Sequence, residues 1–416
     1  MSRERKTAWL VSIVLLGFVV AVAAHYVVGQ YVLRGYPYST FLFTPQDTTG
    51  FPGAPNVLGT HYFGDFFEPW ILSQGPHPYV GQPLAAPSSY FPLTHILLFP
   101  FAQLSFKLAL ALYLTGFAAV LAALVYRSAG GDRLARLQAT LVLTVCSTPV
   151  LFLVDRANIE GVLFLALVGM LFAYRRDRFY LAAVLLAIPV AMKGSAGVFW
   201  LLFLFDHRFL ALLLSVTTTA LASLASLLVL PGTTSANFDG LHHALKLLTK
   251  ATDQGTVGLR QSVSLKSAFS GLGRLDDHFN FFLSHYALVS LVLLLAVAVA
   301  LWRLRLELWQ RVALLSAAMI VVPSVSYEYR MIHVYLPLVL FLLVAERRRS
   351  DVLYVVLFGL LLVPKGLPIL YADVNIGTVL NPLLLVALMG TVVIDAARTG
   401  GVSPWRPGEA SAAPAG

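Results

Sequence analysis

Between Leu108 and Tyr126 the chain places nineteen residues without a charge, closes them with Arg127, and repeats this device along most of its length. A bilayer core is about 30 Å thick and takes about 20 residues of helix to cross. Backbone N–H and C=O groups cannot stay bare in lipid, so runs of this kind must be helical. Twelve segments are predicted as helices in the membrane, at roughly 8–29, 107–126, 137–153, 159–174, 179–192, 196–205, 209–229, 284–302, 310–323, 331–345, 352–370 and 376–396. The expected fold is an all-α polytopic membrane protein with about 10–12 transmembrane helices, plus exterior interfacial helices in the first long loop. A composition of 58% hydrophobic and 12% charged residues over all 416 excludes a single-span anchored enzyme, a disordered chain and a nucleic-acid reader.

In such a chain the formal charge of +9 has meaning through placement rather than sum. With the N-terminus inside and the segments alternating, eighteen of the 29 lysines and arginines fall in short inner loops, among them Arg127, Arg133, Arg136, Arg208, Arg303 and Arg305. This positive-inside pattern predicts a multi-pass cell-membrane protein with both termini cytoplasmic. Most of the remaining basic residues lie in two long exterior segments, about 30–106 and 231–283, which cross irrespective of charge. The runs Arg175-Arg-Asp-Arg178 and Glu346-Arg-Arg-Arg-Ser-Asp351 read as topology signals touching lipid headgroups. The basic start, Met1 to Lys6, resembles that of a signal peptide, but no small-residue cleavage site follows, so 8–29 is read as a span. Residues 1–396 are expected to form one integral-membrane domain, and 397–416, rich in Pro, Gly, Ala and Ser, a disordered cytoplasmic tail. A single cysteine, Cys146, excludes an internal disulfide and a Cys-based metal cluster.

The exterior segments carry isolated charges beside aromatics and prolines. In His61-Tyr-Phe-Gly-Asp-Phe-Phe-Glu-Pro-Trp-Ile-Leu-Ser-Gln-Gly75, Asp65 and Glu68 are three apart and share one face of a helix. Phe63, Phe66, Phe67, Trp70 and Ile71 supply apolar surface, so this helix either reinforces the interface with solvated acids or presents a site. Asp155 and Asn158 either cap the next helix or line a site. Lys193, after thirteen uncharged residues from Phe179 to Ala191, and Arg330, between Tyr329 and Met331, either snorkel to headgroups or face a ligand. Gln261, Ser262 and Ser264 form either a polar lip or an ordinary surface helix. His242 and His243 are adjacent and point about 100° apart on a helix, which is wrong for joint metal ligation.

No P-loop, GxGxxG, HExxH or GxSxG occurs, which removes support for nucleotide hydrolysis, dinucleotide redox chemistry, zinc proteolysis and an elbow serine hydrolase. A carboxylate in an aromatic exterior pocket with cations at helix ends suits group transfer from a membrane-embedded phosphate donor to a hydroxyl. The carboxylate takes the hydroxyl proton, and the cations stabilise charge growing on the departing phosphate. Several stretches resemble glycosyltransferase family 87, integral-membrane enzymes of the GT-C superfamily. Asp65-Phe-Phe-Glu-Pro-Trp-Ile-Leu-Ser-Gln-Gly-Pro-His-Pro-Tyr79 is similar to that family's D-F-x-x-Y…L-x-x-G-x-x-P-Y stretch, and Tyr90-Phe-Pro-Leu to its Y-P-P-L, with Phe91 in place of a proline. Asn158 resembles the Asn of a G-Q-x-N turn whose Gly and Gln are here Asp155 and Arg156; Met192-Lys193 and Ser326-Tyr-Glu-Tyr-Arg330 resemble two further short motifs.

The resemblance implies a polyprenyl-phosphate sugar as donor, mannose first and arabinofuranose as the alternative, with a glycolipid or glycan hydroxyl as acceptor. It implies inversion, no cofactor or metal, and membrane lipids but no nucleic acid as further partners. It makes Asp65 the catalytic base, with Glu68 and Asp47 as alternative acids. Lys193, Arg330 and Arg156 would hold the donor phosphate, while His333, Tyr327, Glu328 and Asn158 would line the sugar or acceptor. A lipid or solute transporter is the alternative class; it calls for ionisable residues at mid-bilayer depth and an inverted repeat, which the sequence does not display.

Overall fold

The computed structural model describes residues 1–28, 31, 63–75, 77–79, 88–253, 261–344, 349–369 and 374–400. Among them are α1 (Arg3–Val27), α2 (Gly64–Leu72), α3 (Pro92–Ala102), α4 (Phe106–Ser128), α5 (Arg133–Val145), α6 (Thr148–Arg156), α7 (Glu160–Tyr174), α8 (Phe179–Lys193) and α9 (Trp200–Phe205). There follow α10 (Phe209–Val229), α11 (Thr234–Asp253), α12 (Leu265–Gly273), α13 (Phe279–Ser284), α14 (Tyr286–Arg303), α15 (Leu308–Val321), α16 (Tyr335–Leu343), α17 (Asp351–Leu362) and α18 (Ile376–Gly400). Two 3-10 helices, Ser195–Phe199 and Glu328–Val334, lead into α9 and α16. The strands β1 (Pro368–Ile369) and β2 (Val374–Asn375) pair antiparallel with Pro368 opposite Asn375. The protein is all-α and polytopic, as its apolar runs require.

Helix starts follow local chemistry. Asp132 accepts the Ala135 N–H at 2.8 Å ahead of α5, Ser264 accepts that of Ser267 at 3.0 Å ahead of α12, and Glu307 with Gln310 closes a capping box on α15. The segment expected as one span at 137–153 is two helices, α5 and α6, bent by 55°. Pro149 has no N–H to offer the Val145 carbonyl, so the helical ladder cannot run through.

The predicted spans separate into two populations. Five helices, α1, α4, α10, α14 and α18, are long and apolar enough to cross a membrane, or six with α5 and α6 taken as one. Six shorter apolar helices, including α7, α8, α15 and α17, run 10–17 residues. Three of the long helices lie on the outside: only 11% of the apolar window of α10 and 22% of that of α1 and α14 is buried, against 50% for α18. By contrast α15 is buried at every residue except Leu308 and Arg311. A short helix is tolerated here because its ends meet protein rather than lipid. At the outer margins, α18 continues through Gly400, four residues into the expected tail; residues 401–416 lie outside the described residues.

One charge pair departs from the sequence reading. Asp351, expected at headgroups, is fully buried, and so is Lys6, whose Nζ lies 3.3 Å from Asp351 Oδ1 and 4.3 Å from the centroid of the Phe341 ring. This pair joins α1 to α17, which approach closely because a Cβ at Gly359 would come 2.6 Å from Ile13 Cγ2. Asp351→Ala leaves a buried ammonium without its counter-charge and is expected to cost about 3–5 kcal/mol; loss of a comparable part of the unfolding free energy in detergent checks it.

Candidate active site

The site begins at α2. Its aromatic face packs onto α4: Phe66 stacks on Tyr113 at 5.2 Å, and Phe67 and Trp70 meet Phe106 at 5.4 and 5.3 Å. Trp70 Nε1 donates to the Phe101 carbonyl at 3.2 Å, which seats α2 on α3 as well. Phe63 starts the helix from a left-handed conformation, φ 60°, and its N–H bonds the Asp155 carbonyl at 2.9 Å. The aromatics thus fix the helix against α3 and α4, with Asp65 turned toward the α6–α7 turn.

That turn reverses at Ala157, φ 48°, and brings Asn158 under Asp65. Asn158 Nδ2 donates to Asp65 Oδ2 at 2.8 Å, while its Oδ1 accepts the Glu160 N–H at 2.9 Å. One amide thus serves the helix start and the Asp65 carboxylate together. The Tyr113 hydroxyl donates to the Asn158 carbonyl, and Gly161 leaves it room, because a Cβ there would overlap that hydroxyl.

Glu160 is fully buried and gathers three partners. Lys193 Nζ lies 2.6 Å from Oε2, Arg330 Nε 3.9 Å from Oε2, and His333 Nε2 2.9 Å from Oε1. Lys193 also lies 5.3 Å from the centroid of the Tyr329 ring. Lys193 and Arg330 thus turn into the protein rather than snorkelling to headgroups. Arg330 and His333 reach one carboxylate because they sit three apart on a 3-10 helix, where such side chains eclipse. Arg330 Nη1 and His333 Nδ1 are buried with no hydrogen-bond partner among the described residues.

The other expected residues separate. Arg156 turns toward Asp155, 3.8 Å from its Oδ2, and Gln261, 3.5 Å from its Oε1, rather than to Glu160. Tyr327 pairs its backbone with Ser262, so 262–264 forms a buried seam, with Gln261 half-buried at its edge, instead of a lip or a surface helix. Glu328 is buried on another face of the 3-10 helix, toward Gly377; burial pushes its carboxyl up against the pull of Lys365. His242 and His243 are exposed on α11, and Asp47 lies outside the described residues.

A family model for glycosyltransferase family 87 matches residues 89–326. This chain belongs to glycosyltransferase family 87. It is a membrane glycosyltransferase, which sets the transporter reading aside. The matched span of this family 87 chain contains Asn158, Glu160 and Lys193, while Asp65, Arg330 and His333 come from either side of it. No curated protein and no solved structure matches the chain.

Sequence reasoning missed Glu160. Its signal was present: a lone acid opening the uncharged run 161–174, while Lys193 closes 179–192, the two runs joined by the short turn 175–178. In an antiparallel hairpin those ends must face each other. Gly161→Ala should lower stability by about 1–3 kcal/mol by displacing Tyr113, read by thermal unfolding. Burial and then the neighbouring Asp65 charge push the Glu68 carboxyl up to about 8 from 4.5, toward its protonated form. The stability this neutral form contributes is complete below the unfolded value and is lost as pH rises through about 8. Glu68→Gln should flatten that decline in melting temperature.

Proposed function

We propose that this glycosyltransferase moves a sugar, mannose in the first instance, from a polyprenyl-phosphate donor to a hydroxyl of a lipid-linked or envelope glycan, on the exterior side of the membrane. The observation that carries the reading is the continuous array Asp65–Asn158–Glu160–Lys193/Arg330/His333. It sets a proton acceptor and two cations about one turn, at the ends of α7 and α8 opposite the arginine-rich loop 175–178. The positive-inside rule, which favours an inner position for those arginines, supports an exterior array.

In the reaction the acceptor oxygen attacks the anomeric carbon as its proton passes to Asp65. The carbon–oxygen bond to phosphate breaks with its electron pair, so phosphate leaves as an anion and the configuration inverts. Two cations face the Glu160 carboxylate, so once Asp65 is neutralised by the acceptor proton one net positive charge remains for that anion, and the unpaired Arg330 Nη1 offers a donor that Glu160 does not consume. With its Nε2 proton on Glu160, His333 keeps Nδ1 as an acceptor for a sugar hydroxyl. Glu68, whose carboxyl is pushed up toward its protonated form, is the poorer base. Arg156, beside Asp155 and Gln261, is left out of the phosphate-binding set.

Asp65→Asn preserves the shape of the array and should lower transfer from a radiolabelled polyprenyl-phosphate mannose by about 10²–10⁴-fold, with Glu68→Gln near wild type. Undiminished transfer by folded Asp65→Asn would reject the assignment. Lys193→Met should reduce kcat more than it raises KM, because the phosphate charge grows only as the bond breaks.

A further inference from the structure

At the far ends of α7 and α8 from Glu160 and Lys193, some 22 Å away by the length of a 15-residue helix, lies a second feature that sugar transfer does not use. The chain makes the same turn twice, thirty residues apart. Asp177 and His207 both adopt the left-handed conformation, φ 57° and 56°. The Arg178 N–H bonds the Ala173 carbonyl at 3.0 Å, and the Arg208 N–H bonds the Phe203 carbonyl at 2.8 Å, so both helices end on the same six-residue closure. Each turn then places an arginine and a phenylalanine, Arg178-Phe179 and Arg208-Phe209, at the start of the next helix.

Those next helices, α8 and α10, pack side by side, and their first residues line one cleft of about 580 Å³. The Arg208 guanidinium lies over the Phe179 ring at 4.1 Å, so the second turn reaches across to the first. Asp206, the acid nearest in sequence to Arg208, is occupied by Arg311 and the Tyr174 hydroxyl. Among the described residues Arg178 and Arg208 meet no carboxylate at ion-pair distance. Asp177 is the one acid in the lining, against both arginines and the adjacent Arg175 and Arg176. The outer walls are apolar and open: Tyr180, Leu181, Phe209 and Leu210 are all exposed.

Cationic floor and apolar exposed rim together select an amphiphile with an anionic head. We propose that this cleft binds the phosphate headgroup of an anionic phospholipid, with the acyl chains lying along Leu181 and Leu210. Arginine suits that role because its planar fork donates two hydrogen bonds to one phosphate. Basic pockets between helices at the inner interface are the places where such headgroups settle.

The test uses the full chain reconstituted with phosphatidylcholine and phosphatidylglycerol, then stripped in mild detergent and weighed by native mass spectrometry for retained lipid. Phosphatidylglycerol should be retained in preference, and Arg178→Gln with Arg208→Gln should weaken retention about 30-fold, or about five-fold for Arg208→Gln alone should the double variant not survive purification. Arg175→Gln with Arg176→Gln removes the same charge outside the cleft and should retain lipid as wild type does. Equal losses in the two double variants would reduce the effect to diffuse surface charge and overturn the proposal. So would equal retention of phosphatidylcholine. Displacement of the lipid by millimolar inorganic phosphate would reassign the cleft to free phosphate, and retention of an acidic peptide in its place would reassign it to a protein partner; either overturns the lipid site.

Discussion

A carboxylate with no exposed surface sits among apolar helices at Glu160, and the architecture around it follows from the need to keep it paired. An isolated ion costs several kcal/mol or more to take out of water. Glu160 is tolerable only because α8, the Glu328–Val334 3-10 helix and its own turn deliver Lys193, Arg330 and His333 to its two oxygens. Removing the acid would leave two cations facing each other, so its partners depend on it as much as it depends on them. Asp65 joins the same array through Asn158, which ties a peripheral helix to the core with one amide.

The mixture of long and short helices is the second consequence. Helices that meet lipid must span it, and α1, α10 and α14 do so with most of their surface outward. Helices whose ends meet protein are released from that length, and α7 and α8 end where Glu160 and Lys193 meet. A polar site at the end of short apolar helices is thereby reached without exposing backbone to hydrocarbon.

The candidate site was legible in the sequence to the extent that each residue announced itself locally. Asp65 stood among aromatics, Lys193 ended an uncharged run, and Arg330 and His333 followed a serine-and-tyrosine turn. Arg156 carried the same local signal yet turned elsewhere, toward Asp155 and Gln261, and Glu328 faces a different neighbour from Arg330 two residues on. Lys6 and Asp351 looked like inner topology charges and are instead a buried pair. A side chain's direction depends on which surface lies opposite, and a local pattern contains no record of it.

From the amino-acid order alone came the membrane class, the helical state of nearly every apolar run and the acid on the aromatic helix. These are properties of a segment and its solvent, because a run of apolar residues has one way to satisfy its backbone in lipid. Only the tertiary structure decided that Glu160 is the hub, that α5 and α6 bend apart, and that Arg178 and Arg208 share a cleft. Those outcomes join residues as far apart as Glu160 and His333, 173 positions along the chain. Such meetings are set by how helices pack, which no single segment encodes.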